Sequence, residues 1–227
     1  MNNLIELKNI SKNYFVNRKN VILKKINFKF KKGLIYSLVG PSGSGKSTLL
    51  NLLSLIDKPT SGEILINKNL IKYDDISTND QLRADKIGII YQQNNLLPDF
   101  NALENVYLAR LAIDNNIEKA ILEAKKVIKS FGLSNRLGHF PSELSGGELQ
   151  RIAISRALIN KPEIILADEP TGSLDHSTAK EVFKSFYKLK SKNRLIIYAT
   201  HNRFFADMAD CKLEMIDGNI KPSNARK

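Results

Sequence analysis

The stretch Ile35-Tyr36-Ser37-Leu38-Val39-Gly40-Pro41-Ser42-Gly43-Ser44-Gly45-Lys46-Ser47-Thr48 decides the fold. Residues 35–39 form a mostly apolar run of strand length. Glycines at 40, 43 and 45 then interrupt it before an apolar helical pattern runs from 46 to about 55. The loop fits G-x-x-x-x-G-K-[ST] and stands between a strand and a helix, which is the context that pattern requires. Its glycines let the backbone curl until successive amides converge on phosphate oxygens, and the helix start adds its positive end. Gly40, Pro41, Ser42, Gly43, Ser44, Gly45, Lys46, Ser47 and Thr48 are therefore expected to cradle a nucleoside triphosphate. Lys46 would neutralise its terminal phosphates and Ser47 would ligate Mg²⁺. A dinucleotide fingerprint fits worse, because its third glycine is missing.

Outward from this unit, two alternating apolar segments at 4–10 and 21–30 predict antiparallel strands, with Tyr14 in the connection between them. Pro59-Thr60-Ser61-Gly62 is a turn signal before a short strand at 63–66, and another strand follows at 87–91. From there to about residue 160 the pattern is helical. Ile117, Ala120, Ile121, Ala124, Val127, Ile128 and Phe131 recur at spacings of three and four. A helix over 148–159, strands at 163–167 and 195–200 flanking a helix over 177–189, and a last strand at 213–216 complete the order. Residues 221–227 read as a frayed tail. Strands alternating with helices predict an α/β fold with a mostly parallel sheet covered on both faces.

Composition bounds the answer. The 227 residues are enough for one domain with a sizeable core; a hydrophobic fraction of 42% and a charged fraction of 26% exclude wholesale disorder and a disulfide scaffold. Cys211 is the one cysteine and fits a reducing compartment. No apolar run approaches the roughly 20 residues needed to cross a bilayer. The first residues lack the features of a signal peptide, so the chain is expected to stay in the cytosol. Lys and Arg number 35 against 23 Asp and Glu, giving +12. That balance raises nucleic acid or an anionic membrane surface as partners, but the lysines are scattered, and a solvated basic surface accounts for them.

A triphosphate site needs a carboxylate for the metal and a group to handle the attacking water. Ile164-Ile165-Leu166-Ala167-Asp168-Glu169 supplies both at the end of an apolar strand, where alternation along an extended backbone would aim the two acids differently. Asp168 is expected to hold the Mg²⁺ shell and Glu169 to polarise the water. Leu144-Ser145-Gly146-Gly147-Glu148 is a second small-residue entry to a helix, with Ser145 as its cap and the Gly146 and Gly147 amides as another anion site. Since one phosphate loop already serves the local γ-phosphate, the second helix start is expected to meet a nucleotide on another copy, in a head-to-tail pair.

At this point the sequence resembles the nucleotide-binding subunits of ATP-binding cassette (ABC) transporters, in order along the whole chain. Leu144 to Gln150 resembles the signature motif that contacts ATP bound to a partner subunit, and the resemblance places Glu148 beside that nucleotide. It further implies that Tyr14 stacks on adenine and that Gln92 links the metal site to a helical insert and supplies a metal contact. Ser173-Leu174-Asp175 would cross the dimer interface, and His201 would sense the γ-phosphate. The implied organisation is a core of residues 1–92 and 161–220 with an antiparallel β portion, a helical subdomain over 93–160 and a tail. Two departures stand out: Asn202 follows His201 where many relatives carry Asp, and Leu149 replaces a polar residue before Gln150.

A narrower likeness lies in residues 91–106, in Pro141-Ser142-Glu143 and in residues 212–218. These resemble the lipoprotein-releasing ATPases of Gram-negative inner membranes. The resemblance implies an ATP-hydrolysing homodimer, peripheral on the cytoplasmic face of the inner membrane and held there by transmembrane permease subunits, with no nucleic-acid partner. Macrolide or peptide efflux and cell division are the alternatives carried by close relatives. A soluble nucleic-acid-dependent ATPase is a more distant reading, since such relatives carry paired cassettes or large inserts.

Overall fold

The structure is a computed structural model and describes residues 2–16 and 18–223. Its elements form two compact units. One comprises Met1–Asp80, Leu166–Asp168 and Lys190–Lys227, the other Gln81–Ile165 and Glu169–Leu189.

In the first unit, β1 (Asn3–Val16) pairs antiparallel with β2 (Arg18–Lys31) and with β4 (Ser61–Ile66), which in turn pairs with the two-residue β5 (Asn69–Leu70). The register sets Ile5 opposite Phe30 and Leu7 opposite Phe28, so the apolar alternation of both strands falls on one face, where Ile5, Leu7, Ile26 and Phe30 are buried. Phe28, Phe30 and Tyr36 meet edge-on, with centroids 4.8 to 6.0 Å apart. Tyr14 lies inside β1, not in a connection after a shorter strand as its position suggested.

The strand that leads into the glycine loop, β3 (Ile35–Val39), is parallel to β8 (Leu195–Ala199) on one side and to β9 (Cys211–Ile216) on the other. Strands covered on both faces read as near-continuous apolar runs, and Ile35 to Leu38 and all of β8 are buried. Both hydroxyls on that stretch of β3 are paired, Ser37 Oγ donating to the Ala206 carbonyl at 2.9 Å and Tyr36 OH accepting from the Lys31 amide at 3.0 Å, so their burial carries no unpaired group. The strand order is β10-β9-β3-β8-β7-β6, with β7 spanning Ile164–Asp168 and β6 spanning Ile87–Ile90. Residues 221–223, read from sequence as tail, instead finish β10 (Asn219–Ser223), antiparallel to β9. Asp217-Gly218, at φ of 47° and 77°, makes the two-residue turn that closes this hairpin. Residues 224–227 lie outside the described residues.

Helix α1 (Lys46–Leu53) follows the glycine loop, and α2 (Ile76–Lys86) went unread in the sequence. Its only buried residue is Asn79, so it has no apolar stripe to find.

The second unit holds β6, α3 (Ala102–Leu111), α4 (Ile117–Ser130), α5 (Gly146–Leu158) and α6 (His176–Tyr187). Its core joins Ala102 and Val106 of α3 to Ala124 and Ile128 of α4 and Ile152 of α5. Ile117, at the head of the predicted stripe, is 55% exposed, and Ala120, Ala124 and Ile128 are the buried face. These compact units cut the chain differently from the boundaries at 92 and 160 drawn from the sequence. Helix α6 falls with the helical insert because its Thr178 packs against the start of α5: a Cβ built on Gly147 would lie 2.5 Å from Thr178 Cγ2.

Phe183 and Phe186 of α6 are both about 1% exposed, with ring centroids 5.7 Å apart. Phe186→Ala is expected to cost about 3–5 kcal/mol, from lost transfer energy plus a cavity, read as a lower urea midpoint with an unchanged slope.

Candidate nucleotide site

The glycine loop and the residues around it lie within the first unit. Gly40 leaves β3 at φ 150°, where a Cβ would lie 2.3 Å from the Met215 carbonyl oxygen and 2.9 Å from Ser44 Oγ, so only glycine fits the first bend. At the far end of the loop Gly45 caps α1 in a left-handed conformation with no side-chain hydrogen bond. The helices α3, α4, α5, α6 and α7 (Arg203–Ala206) are all capped by side chains, those of Asn101, Asn116, Ser145, Asp175 and Asn202. The first bonded amide of α1 is Leu49, to the Gly45 carbonyl at 2.9 Å, so the amides of Lys46, Ser47 and Thr48 precede the intrahelical ladder. Ser44 Oγ is buried without a hydrogen-bond partner. Lys46 Nζ donates to the carbonyls of Gly40 at 2.8 Å and Pro41 at 2.9 Å, folding back over the loop.

Donors at a helix start, a buried hydroxyl and an ammonium over the same loop make a cradle for an anion with several oxygens. Asp168 ends β7 and His201 follows β8, both in this unit; His201 is exposed. Asn202 spends its side chain on the amides of Phe204 and Phe205, capping α7, so its first role is to start that helix. Tyr14, 38% exposed, has its phenol on Asp57 at 2.8 Å. For Mg²⁺, no group of three or more His, Cys, Asp or Glu that could hold a metal occurs among the described residues. Ser47 and Asp168 offer one hydroxyl and one carboxylate. Such a short all-oxygen set fits Mg²⁺, which keeps most of its shell for water and substrate phosphate.

The second unit carries the remaining residues. Glu169 turns out of β7 with φ 46°, so it departs from Asp168 by a left-handed step and not by strand alternation. Gly172 brings Glu169 and Gln92 together: a Cβ on Gly172 would lie 3.0 Å from Gln92 Nε2 and 3.2 Å from Glu169 Cβ. Ser173 Oγ donates to the Gln92 carbonyl at 3.4 Å. The loop after Gln92 is gripped by Arg156, whose guanidinium donates to the carbonyls of Asn94 at 2.7 Å and Asn95 at 2.5 Å. Asn105 pins it further on, to both Leu97 backbone groups and the Phe100 carbonyl. Sequence reasoning gave neither residue a role: Arg156 lies in no motif, and Asn105 entered only as part of the likeness over residues 91–106.

At the signature helix, Ser145 Oγ accepts from the Glu148 amide, and the Ser145 amide donates to Glu148 Oε2 at 2.8 Å, a complete capping box. Arg136 Nε donates to Glu148 Oε1 at 2.8 Å. The amides of Gly146 and Gly147, first in the helix, lie beyond the reach of intrahelical bonds. Glu148 itself is occupied with the cap. Asp175 caps α6, its Oδ1 accepting from the Ser177 hydroxyl at 2.5 Å and from the amides of Ser177 at 3.0 Å and Thr178 at 3.1 Å; hydrogen bonds from the Ser177 and Thr178 side chains, and then from their amides, hold its carboxyl well below the usual range. Leu149 packs against the helical core, which accounts for an apolar residue at that point.

Arg136 and the Ser145 amide lower the Glu148 carboxyl from 4.5 to about 2. A depressed carboxylate contributes stability that is fully present above its unfolded value and is lost as pH falls toward the folded one. The melting difference between the wild type and Glu148→Gln is therefore expected to hold near neutral pH and shrink between pH 4.5 and about 2, followed by circular dichroism.

A family model described as ABC transporter matches residues 23–172. The lipoprotein-releasing system ATP-binding protein LolD of Rickettsia bellii is 45% identical over 224 residues, 98% of this chain and 99% of that protein. The protein of the same name from Cytophaga hutchinsonii is 42% identical over 200 residues, 88% of this chain and 91% of its own. Among solved structures, the ATP-binding cassette MJ0796, a dimer in a post-hydrolysis state bound to ADP and Pi, superposes with a TM-score of 0.90 at 36% identity, over 99% of this chain and 100% of that one. A second dimeric structure of the same cassette gives 0.89 at 38% identity, again over 99% and 100%. This chain belongs to the ABC transporter family, as one of its ATP-hydrolysing cassettes.

Proposed function

We propose that this chain is the ATPase subunit of an inner-membrane complex that releases lipoproteins toward the outer membrane, acting as a homodimer on transmembrane permease subunits. The observation that carries the nucleotide chemistry is the uncapped start of α1 beneath a glycine loop that leaves the Ser44 hydroxyl buried and unpartnered. The lipoprotein assignment draws support from relatives that bear that name over nearly the whole chain. No helix among the described residues is long and apolar enough to cross a membrane.

In this reading the loop amides and Lys46 bind the β- and γ-phosphates, the ammonium exchanging its contacts with the Gly40 and Pro41 carbonyls for phosphate oxygens. Mg²⁺, when bound, screens the developing phosphate charge; Ser47 and Asp168 would hold it, with Gln92 as a further oxygen donor. Glu169 orients the attacking water and takes its proton, and His201 meets the γ-phosphate. Ser145, Gly146 and Gly147 of a second copy close over the nucleotide, their amides adding an anion-binding helix start. Hydrolysis removes the γ-phosphate that bridges the copies, and the dimer reopens. Gln92 and the loop gripped by Arg156 transmit that change to the permease.

Glu169→Gln is expected to leave ATP affinity near that of the wild type, lower turnover by on the order of 10²–10⁴, and accumulate an ATP-bound dimer on size exclusion. Wild-type turnover in this variant would remove Glu169 from the role. Affinity purification from detergent-solubilised membranes is expected to bring down permease subunits, and depletion to leave lipoproteins in the inner membrane. Drug sensitivity with normal lipoprotein sorting would point to efflux instead.

A further inference from the structure

Tyr14 is held in a way that an exposed aromatic residue does not require. Its phenol donates to Asp57 Oδ2 at 2.8 Å. The other carboxylate oxygen, Asp57 Oδ1, accepts from Lys12 Nζ at 2.6 Å and from the Lys58 amide at 2.7 Å. Lys12 is only 8% exposed. Its ammonium donates in addition to the Lys58 carbonyl at 2.8 Å and stands 4.8 Å from the centroid of the Tyr14 ring. One carboxylate thus anchors the tip of the ring directly and, through the lysine, controls one of its faces. Surface side chains flip rotamers on the picosecond to nanosecond scale. A ring tied at its hydroxyl and covered by a cation on one side is left with one orientation and one open face.

We propose that Asp57 and Lys12 are positioning residues that fix Tyr14 as a one-sided platform for the base of the nucleotide. The inference rests on the reading of Tyr14 as the base-stacking residue. A cation over an aromatic face is attracted by the ring quadrupole, so a purine on the opposite face completes a cation–ring–base stack. Burial works against the Asp57 charge, but the hydrogen bonds from Lys12, Tyr14 and the Lys58 amide outweigh it and keep the carboxyl below its usual range. Burial and the Asp57 charge raise the Tyr14 phenol, so it stays protonated and able to donate. The triphosphate is gripped by the loop and Lys46 and has no need of this arrangement.

The test is equilibrium binding of ATP and of inorganic tripolyphosphate to the full chain by calorimetry, for Asp57→Ala, Tyr14→Phe, Tyr14→Ala and the double variants. Asp57→Ala and Tyr14→Phe remove the same phenol–carboxylate bond from its two ends, so Tyr14→Phe keeps the test open if Asp57→Ala folds poorly. Each is expected to weaken ATP about three- to ten-fold, the worth of one hydrogen bond, with tripolyphosphate unchanged. Combined, they should cost no more than Asp57→Ala alone, and Asp57→Ala should have no further effect on Tyr14→Ala. Equal weakening of ATP and tripolyphosphate, or losses that multiply in the double variant, would overturn the proposal by making Asp57 a general structural residue. Loss of ATP affinity in Tyr14→Ala alone, with Tyr14→Phe and Asp57→Ala at wild-type values, would overturn it while sparing Tyr14 as the platform. A Tyr14→Ala variant that binds ATP like the wild type would remove both.

Discussion

Backbone amides at a helix start must find a partner, and α1 is built so that the protein does not provide one. Gly45 offers no side-chain cap, whereas Asn101, Asn116, Ser145, Asp175 and Asn202 cap α3 to α7. Four donors left at a helix end without capping or solvent would be costly. Here the deficit is kept where a phosphate can relieve it. The flanking architecture serves that placement. β3, buried between two parallel neighbours, delivers the chain to the loop, and the Met215 carbonyl fills the space where a side chain at position 40 would stand. The buried leucines of α1 hold the helix behind the loop.

The second helix start solves the opposite problem. α5 is capped twice over, by Ser145 and by the Arg136-anchored carboxylate of Glu148, and yet keeps its two leading amides outside the cap. That division of labour lets the tip stay rigid while its outermost donors remain for a ligand. A Cβ on Gly147 would lie 2.5 Å from Thr178 Cγ2, so a larger residue there would force Thr178 to move, whereas at Gly146 the nearest atom is Leu174 Cδ2 at 3.2 Å. Packing against α6 thus favours glycine most strongly at position 147.

Much of this was legible in the sequence because the motifs encode backbone shape. The glycine pattern at 40–48 and the Ser145 cap each specify local geometry within a few residues, and the structure keeps both. What escaped is non-local or lacks an apolar signature. Lys12 and Asp57 are 45 positions apart, Arg136 and Glu148 are 12 apart, and Arg156 reaches back about sixty residues to Asn94 and Asn95. No periodicity marks such partners. Polar α2 has no stripe to detect. β10 hid behind Lys221 and Pro222, although Asp217-Gly218 was a hairpin signal. Glu169 was read as the next residue of a strand, and its left-handed backbone is set by the turn it enters.

The start of α1 carries donors that no side chain of the protein caps, and a triphosphate would complete them. Amide hydrogen exchange followed residue by residue, with and without ATP, tests it most directly. The account predicts fast exchange at Lys46, Ser47 and Thr48 in the free protein and strong protection with ATP bound, while the already capped amide of Thr178 changes little. Amides at 46–48 that are protected without nucleotide, or that stay unprotected at saturating ATP, would contradict it.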